Sequence, residues 1–314
     1  MKISAITSAN KFRLVTRADL NSLASLALLI RLDLINEVEF TQPWEIENGN
    51  FQLTNRDITA NLPYNEKVHL SFNYYTPNII ERKQVVDYSA ASTARVIYNY
   101  YGGAQKFPGF PEDLLRAVDK TTLANYSLDD ILNPNGWDLL NFILDHRTGL
   151  DRNTDKNKSI EDLIYRIAST IDSVTIDDVL NWEYVKEKVA EYREQEPLFK
   201  EQIKKNFKVI NNLISVDLRN ETTVYAGNRF IVYAMFPHVQ ISMIILNKDI
   251  NQNYEMSIGK SIFSRISTLH IGRLLQKYGG GGHANAGTCL FDDKSIEEAK
   301  ESLISSITST QNWI

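Results

Sequence analysis

The sequence predicts an α/β protein of two domains. The first is a mostly parallel N-terminal sheet with flanking helices; a helical linker leads to a smaller C-terminal α/β domain. Three observations predict it: strand-like and helix-like runs alternate through the first half, a long charged stretch with helical spacing follows, and strand patterns return after Phe207. The implied boundaries are 1–180, 181–207 and 208–314.

The elements follow in order. Arg13–Thr16 is a short strand, and Asp19–Leu34 carries Leu20, Leu23, Ala24, Ala27 and Leu28 at helical spacing. Glu37–Phe40, Phe51–Thr54 and Val68–Phe72 read as strands. Ala90–Tyr101 is a helix stopped by Gly102-Gly103. Apolar residues three and four apart then predict helices at Glu112–Asp119, Leu139–Leu144, Ser159–Ser169, Ile176–Leu180 and Trp182–Phe207. The last is amphipathic and highly charged. Its Pro197 marks a start, a kink or a break, and the helix either joins two domains or lies on the surface of one. Beyond it, Ile214–Leu218, Ile241–Leu246, Tyr254–Ile258 and Thr288–Phe291 are strands, with helices at Ile271–Lys277 and Ser295–Thr308.

Composition narrows the function classes. The chain has 314 residues, 43% hydrophobic and 23% charged, which fits a globular protein with a sizeable core and excludes a disordered or fibrous one. Its net charge of −5 argues against a chain built mainly to coat nucleic acid. The single cysteine, Cys289, excludes an internal disulfide. Met1 to Thr7 lacks the apolar core of a signal peptide, and the apolar run Leu23–Ile30 is far shorter than the ~20 residues that span a bilayer. The expectation is a cytoplasmic protein with no membrane partner.

The sharpest motif is Gly279-Gly280-Gly281-Gly282-His283-Ala284-Asn285-Ala286-Gly287. Glycine N–H groups can turn inward as a nest for an anion, usually a phosphate, and His283 adds a donor that can carry charge near neutral pH. The alternative is a flexible loop after a helix end.

On this stretch the chain resembles the DHH phosphoesterase superfamily, in its exopolyphosphatase-like and nanoRNase-like branch. The Gly-Gly-Gly-His run resembles the signature of that family's C-terminal DHH-associated domain, and the domain order fits from Arg13 to Phe291. The resemblance implies a domain that binds a terminal nucleotide or phosphate. It points to Lys260 and Ser261 in Gly259-Lys260-Ser261, to Arg265, and to Gly280, Gly281, Gly282 and His283 as ligand-binding residues. Lys offers a compact charge and Arg a forked donor, both suited to phosphate. Asn228 and Arg229, in Tyr225–Phe230, are further candidates or simply part of a turn.

The resemblance also implies two metal ions, usually manganese, held by carboxylates and histidines about 4 Å apart. Here the expected motifs are degenerate. In Arg17-Ala18-Asp19-Leu20-Asn21-Ser22, Asp19 stands at the first aspartate position, Asn21 at the second and Ser22 where glycine belongs. Thr54-Asn55-Arg56-Asp57 is the candidate second motif, with Asn55 or Asp57 at the ligand position. Asn73-Tyr74-Tyr75 occupies the place of the name-giving Asp-His-His, and Asp119 matches the last aspartate. Amide oxygens bind metals more weakly than carboxylates, and tyrosine, with a pKa of about 10, is a poor ligand at pH 7. The expectation is therefore no intact catalytic site and no metal cofactor. The chain reads as a catalytically silent or impaired homologue that still binds a nucleotide, an oligonucleotide end or another phosphate ligand, as a homodimer or paired with an active paralogue. The alternative is an active manganese-dependent phosphoesterase acting on short oligonucleotides, nucleotide phosphates or polyphosphate. A purely structural assembly subunit is a third reading.

No nucleophilic triad is visible among His283, Asp145, His146 and Ser22. Asp145–Leu150 reads as a helix end and turn, with Arg147 a candidate for the ligand cleft. His69, His238 and His270 read as structural, and Cys289 as buried and inert.

Overall fold

The computed structural model describes residues 11–75, 80–150, 160–247 and 253–309. Met1–Thr7 and Ser159, used in the sequence reading, lie outside the described residues. The chain divides into two compact units. One is Met1–Tyr126 with Pro134–His146 and Asp151–Val189; the other is Ser127–Asn133 with Arg147–Leu150 and Ala190–Ile314.

The first unit is built on a five-stranded, wholly parallel sheet. Its strands are β1 (Phe12–Thr16), β2 (Ile35–Phe40), β3 (Asp57–Ala60), β4 (Leu70–Asn73) and β5 (Gln84–Val86), in the order β2-β1-β3-β4-β5. The helices threaded between and after them are α1 (Leu20–Arg31), α2 (Pro43–Glu47), α3 (Thr93–Tyr100) and α4 (Glu112–Thr122), followed by α5 (Leu128–Leu132), α6 (Gly136–Leu144), α7 (Ile160–Thr170), α8 (Ile176–Leu180) and α9 (Glu183–Asn206). Of these, α5 belongs to the second unit, and α9 begins in the first and ends in the second.

The helix α1 explains the core. Leu20 to Leu29 are all buried, so it is enclosed on every side. Sheet residues Leu14, Ile58 and Phe72 and helix residues Ile97, Leu114, Val118, Ile164 and Ile167 enclose it in one cluster. Thr16, Ser22 and Ser25 share this buried environment, and their hydroxyls donate to Ser22 Oγ, Asp19 Oδ1 and Asn21 O respectively.

Two strands of the first sheet differ from the sequence reading. Phe51–Thr54 is not a strand; the strand is Asp57–Ala60, just downstream. The second difference is β5, a short strand that sequence periodicity misses because it has only three residues, Gln84-Val85-Val86. Pro197 lies inside α9 and does not end it.

The second unit carries a six-stranded mixed sheet in the order β10-β11-β9-β8-β7-β6. The strands are β6 (Phe207–Ile210), β7 (Leu213–Asp217), β8 (Ile241–Asn247), β9 (Tyr254–Lys260), β10 (Gly281–Gly282) and β11 (Ala286–Phe291); the helices are α10 (Ile231–Met235), α11 (Ile271–Gln276) and α12 (Ile296–Thr308). Only β7 and β8 pair in parallel; the other neighbours are antiparallel. Met243, Ile245, Met256, Ile258 and Cys289 form a core with Ile271, Leu275, Leu303 and Ile307. Among the described residues no helix is long and apolar enough to cross a membrane.

Candidate active site

A parallel sheet brings the C-terminal ends of its strands to one edge, where loops can gather side chains. Here that edge collects Arg17 and Asp19 after β1, Asn61 after β3, Asn73 at the end of β4, and Tyr74 and Tyr75 just beyond.

Asp19 is the N-cap of α1, because its short carboxylate can satisfy the free amides of the first turn. Its Oδ1 accepts from the Ser22 amide at 2.8 Å and from the Ser22 hydroxyl at 2.9 Å. Its Oδ2 accepts from Asn61 Nδ2 at 3.1 Å. Asn61 has a positive φ of 58°, which asparagine tolerates better than most residues. Arg17 Nε lies 3.9 Å from the same Oδ2, close enough for charge attraction but beyond a hydrogen bond. That Nε is buried and has no hydrogen-bond partner among the described residues. Tyr74 feels both charges. Burial pushes its phenol above the ordinary value, Arg17 opposes that and Asp19 reinforces it. The phenol therefore keeps its proton at neutral pH and can donate. Asn73 Nδ2 donates to Leu62 O at 3.0 Å, which holds its amide at the edge.

The other predicted positions are placed elsewhere. Asn21 is buried, and its Oδ1 accepts from the Ala94 amide at 2.9 Å, so it secures the first turn of α3. Asp119, on α4, accepts from Ser92 Oγ at 2.6 Å and from Arg95 Nε and Nη2 at 2.9 and 2.7 Å. Asp57 sits at the start of β3, at the opposite end of the sheet from Asp19. It accepts from Arg13 Nε and Nη2 at 2.8 and 2.9 Å and from the Thr54 amide at 2.6 Å. Asn55 lies in the turn just before that strand. Among the described residues no three His, Cys, Asp or Glu side chains are grouped to hold a metal ion.

Sequence reasoning misses two members of the edge. Asn61 escapes it because the expected strand Phe51–Thr54 takes the place of the true one and moves the second motif upstream. The run Ile58-Thr59-Ala60 ahead of Asn61-Leu62-Pro63 is the available signal. Arg17 figures there only as a neighbour of Asp19.

In the second unit the glycine run is not an open nest. Gly281 and Gly282 form β10 and pair with Thr288 and Gly287. The amides of Gly279, Gly280 and His283 donate to Gln276 O, Leu275 O and Ala286 O. A Cβ on Gly280 would lie 2.6 Å from Thr288 O, and one on Gly282 would lie 2.2 Å from Ala286 O, so these glycines serve close backbone packing. Lys260 adjoins this hairpin through its amide, which donates to Asn285 O at 2.8 Å. Its Nζ donates to Ser267 O at 3.0 Å, and burial lowers its pKa. Ser261 is buried, and its Oγ accepts from the Phe263 and Ser264 amides; Arg265 Nε donates to Ile262 O. His283 Nδ1 accepts from the Asn285 amide at 3.3 Å on an exposed turn. Asn228 is buried, with its Oδ1 accepting from the Phe230 amide. Arg229 stacks over Phe230 at 4.5 Å. His69 stacks on Phe12 at 4.1 Å, His270 caps α11, and the buried Cys289 thiol donates to Tyr278 O.

No protein-family model and no curated sequence matches the chain. Solved structures do. The pGpG-specific phosphodiesterase PggH from Vibrio cholerae is 40% identical, with a TM-score of 0.81, over 95% of this chain and 99% of that one. The chain belongs to the DHH phosphoesterase superfamily. Two more distant likenesses share the DHH fold. RecJ from Thermus thermophilus in complex with Mn2+ has 12% identity and a TM-score of 0.59, over 97% of this chain and 53% of that one. CDC45 from Entamoeba histolytica has 8% identity and a TM-score of 0.55, over 95% and 96%. Membership in the DHH superfamily corrects one expectation. RecJ was solved with Mn2+, so a divalent metal, rather than none, is what this family leads one to expect.

Proposed function

We propose that the protein is a phosphodiesterase that cleaves short, phosphodiester-linked nucleotides such as pGpG. One observation carries the reading: 40% identity over 95% of the chain to a pGpG-specific phosphodiesterase. The edge chemistry is compatible with it. Arg17 brings a charge whose buried Nε lacks a hydrogen-bond partner among the described residues, and Tyr74 holds a proton to donate. Both suit a phosphate oxyanion.

The donors also suit a hard divalent cation, though not a preformed cluster. Asp19 supplies the carboxylate, and Asn61 and Asn73 supply amide oxygens, which are oxygen ligands of the kind Mg2+ and Mn2+ take. With one carboxylate, such an ion would be held in good part by substrate phosphate oxygens and water. When bound, it would polarise the phosphoryl group and activate water. The protein's own part is to orient the phosphate with Arg17 and Tyr74 and to fix Asp19 through Ser22 and Asn61. In the second unit, Lys260, Arg265 and His283 are the candidate contacts to a terminal phosphate.

The test is direct. Incubation of pGpG with the protein and Mn2+ or Mg2+, followed by chromatography, should yield two pG for each pGpG consumed. Absence of product with either ion overturns the reading. The amides at Asn61 and Asn73 favour a second reading, in which the same nucleotide is held without cleavage. Calorimetric binding of pGpG without product would select it.

A further inference from the structure

Tyr75 and Tyr88 are two exposed aromatic side chains that meet at the edge of the first sheet. Large aromatic side chains bury well, yet Tyr75 is 60% exposed and Tyr88 59% exposed. Their rings lie 6.4 Å apart, edge to face, at 76°. The sheet register says why they meet. Asn73 and Val86 are partners where β4 and β5 end, and Tyr75 and Tyr88 each lie two residues further on. Both therefore leave the sheet at the edge that carries Arg17, Asp19 and Asn61. Tyr74, next to Tyr75, already lies in the field of Arg17 and Asp19.

We infer that Tyr75 and Tyr88 form an aromatic corner for a purine base of the substrate, one ring against the base's face and the other against its edge, beside the place where its phosphodiester lies. This rests on the phosphodiesterase reading and adds the residues that would hold the base, a contact that a bare polyphosphate cannot make. Every base offers a flat π face, and an exposed tyrosine presents a matching one at low entropic cost because only two side-chain torsions need fixing. A polyphosphate has no such face and gains nothing from the pair. The dinucleotide pGpG carries two purines, so a site for it must also accommodate a base one sugar away from the scissile phosphate. The pair stands on the phosphate edge itself.

The experiment uses the full chain with Tyr75→Ala, Tyr88→Ala and Tyr75→Phe. Tyr165→Ala serves as a control, because Tyr165 is a similarly exposed tyrosine on α7. Calorimetry with pGpG is run in EDTA, and steady-state kinetics with Mn2+. The expected result is a rise of roughly 10-fold or more in Kd and KM for each alanine variant, with kcat within about 2-fold. Tyr75→Phe and Tyr165→Ala should bind as the wild type does. An abasic analogue with the same sugar–phosphate backbone should bind wild type and Tyr75→Ala equally. Unchanged Kd in both alanine variants overturns the inference and leaves the phosphodiesterase reading standing. Loss in Tyr75→Phe equal to that in Tyr75→Ala also overturns it, because a hydroxyl contact would then be responsible. A wild type that neither binds nor cleaves pGpG removes the parent reading and this inference together.

Discussion

At Arg17 the proposal is most exposed to test. Its buried Nε has no hydrogen-bond partner among the described residues, and Asp19 is 3.9 Å away. If it holds phosphate, Arg17→Ala should lower kcat/KM for pGpG on the order of 100-fold, the effect of losing one preorganised charged donor. Lysine there should restore little, because it lacks the fork. Thermal melts should show both variants folded. In the second unit, Lys260→Ala and His283→Ala should each reduce the rise in melting temperature that a mononucleotide produces, as loss of native-state binding must. An undiminished rise in both places the phosphate contact elsewhere. Asp19 was singled out by the family resemblance, and the structure places it as the N-cap of α1. Arg17 was not, because nothing in a sequence tells an arginine whose Nε is buried without a hydrogen bond, as here among the described residues, from one that is solvated.

Between elements, the clearest contribution to stability joins β7 to α12. Asp217 accepts from Arg219 Nε at 2.8 Å, from Arg219 Nη2 at 2.6 Å and from Lys300 Nζ at 2.6 Å. Burial works to raise its pKa, but these two cations overcome it and hold the carboxyl down at about 2. A depressed carboxylate contributes stability above its unfolded pKa, near 3.9, and loses it as pH falls through the folded value. Thermal melts between pH 5 and pH 2 should therefore show a decline that flattens in Asp217→Asn. At neutral pH that variant should cost about 1–2 kcal/mol, after discounting for solvent screening. The glycine run offers a second check. Gly280→Ala meets Thr288 O and should cost about 1–3 kcal/mol, while Gly281→Ala meets open space and should be close to neutral. The long patterned helices were readable because their apolar spacing repeats over several turns, and Ile176–Leu180 emerged with its sequence bounds. The short strands at Asp57–Ala60 and Gln84–Val86 were not. Four and three residues carry too little periodicity, and their place is set by pairing with β1 and β4.

Over the whole molecule, the two-domain α/β order was visible in the alternation of patterns, and the family in the Gly-Gly-Gly-His run. The chemistry was harder to read, because substitutions in a motif remove charge without saying what replaces it. The remaining donors lead to a specific expectation about metal. Calorimetry with Mn2+ alone should show weak binding, on the order of millimolar, and addition of pGpG should tighten it, because substrate phosphate completes the ligand set. EDTA should abolish cleavage while leaving the melting temperature within about a degree. Two tight manganese sites in the substrate-free protein would refute this arrangement.

The path of the backbone has a practical outcome for anyone dividing the protein. The chain enters the second unit at Ser127 and again at Arg147 before passing to it finally inside a helix, at Ala190. No single cut yields either half whole. A recombinant fragment ending at residue 189 would carry two stretches that belong to its absent neighbour and a truncated last helix. Attempts to isolate either unit alone should therefore give insoluble or unfolded material. Dissection by point substitution in the intact polypeptide is the workable route.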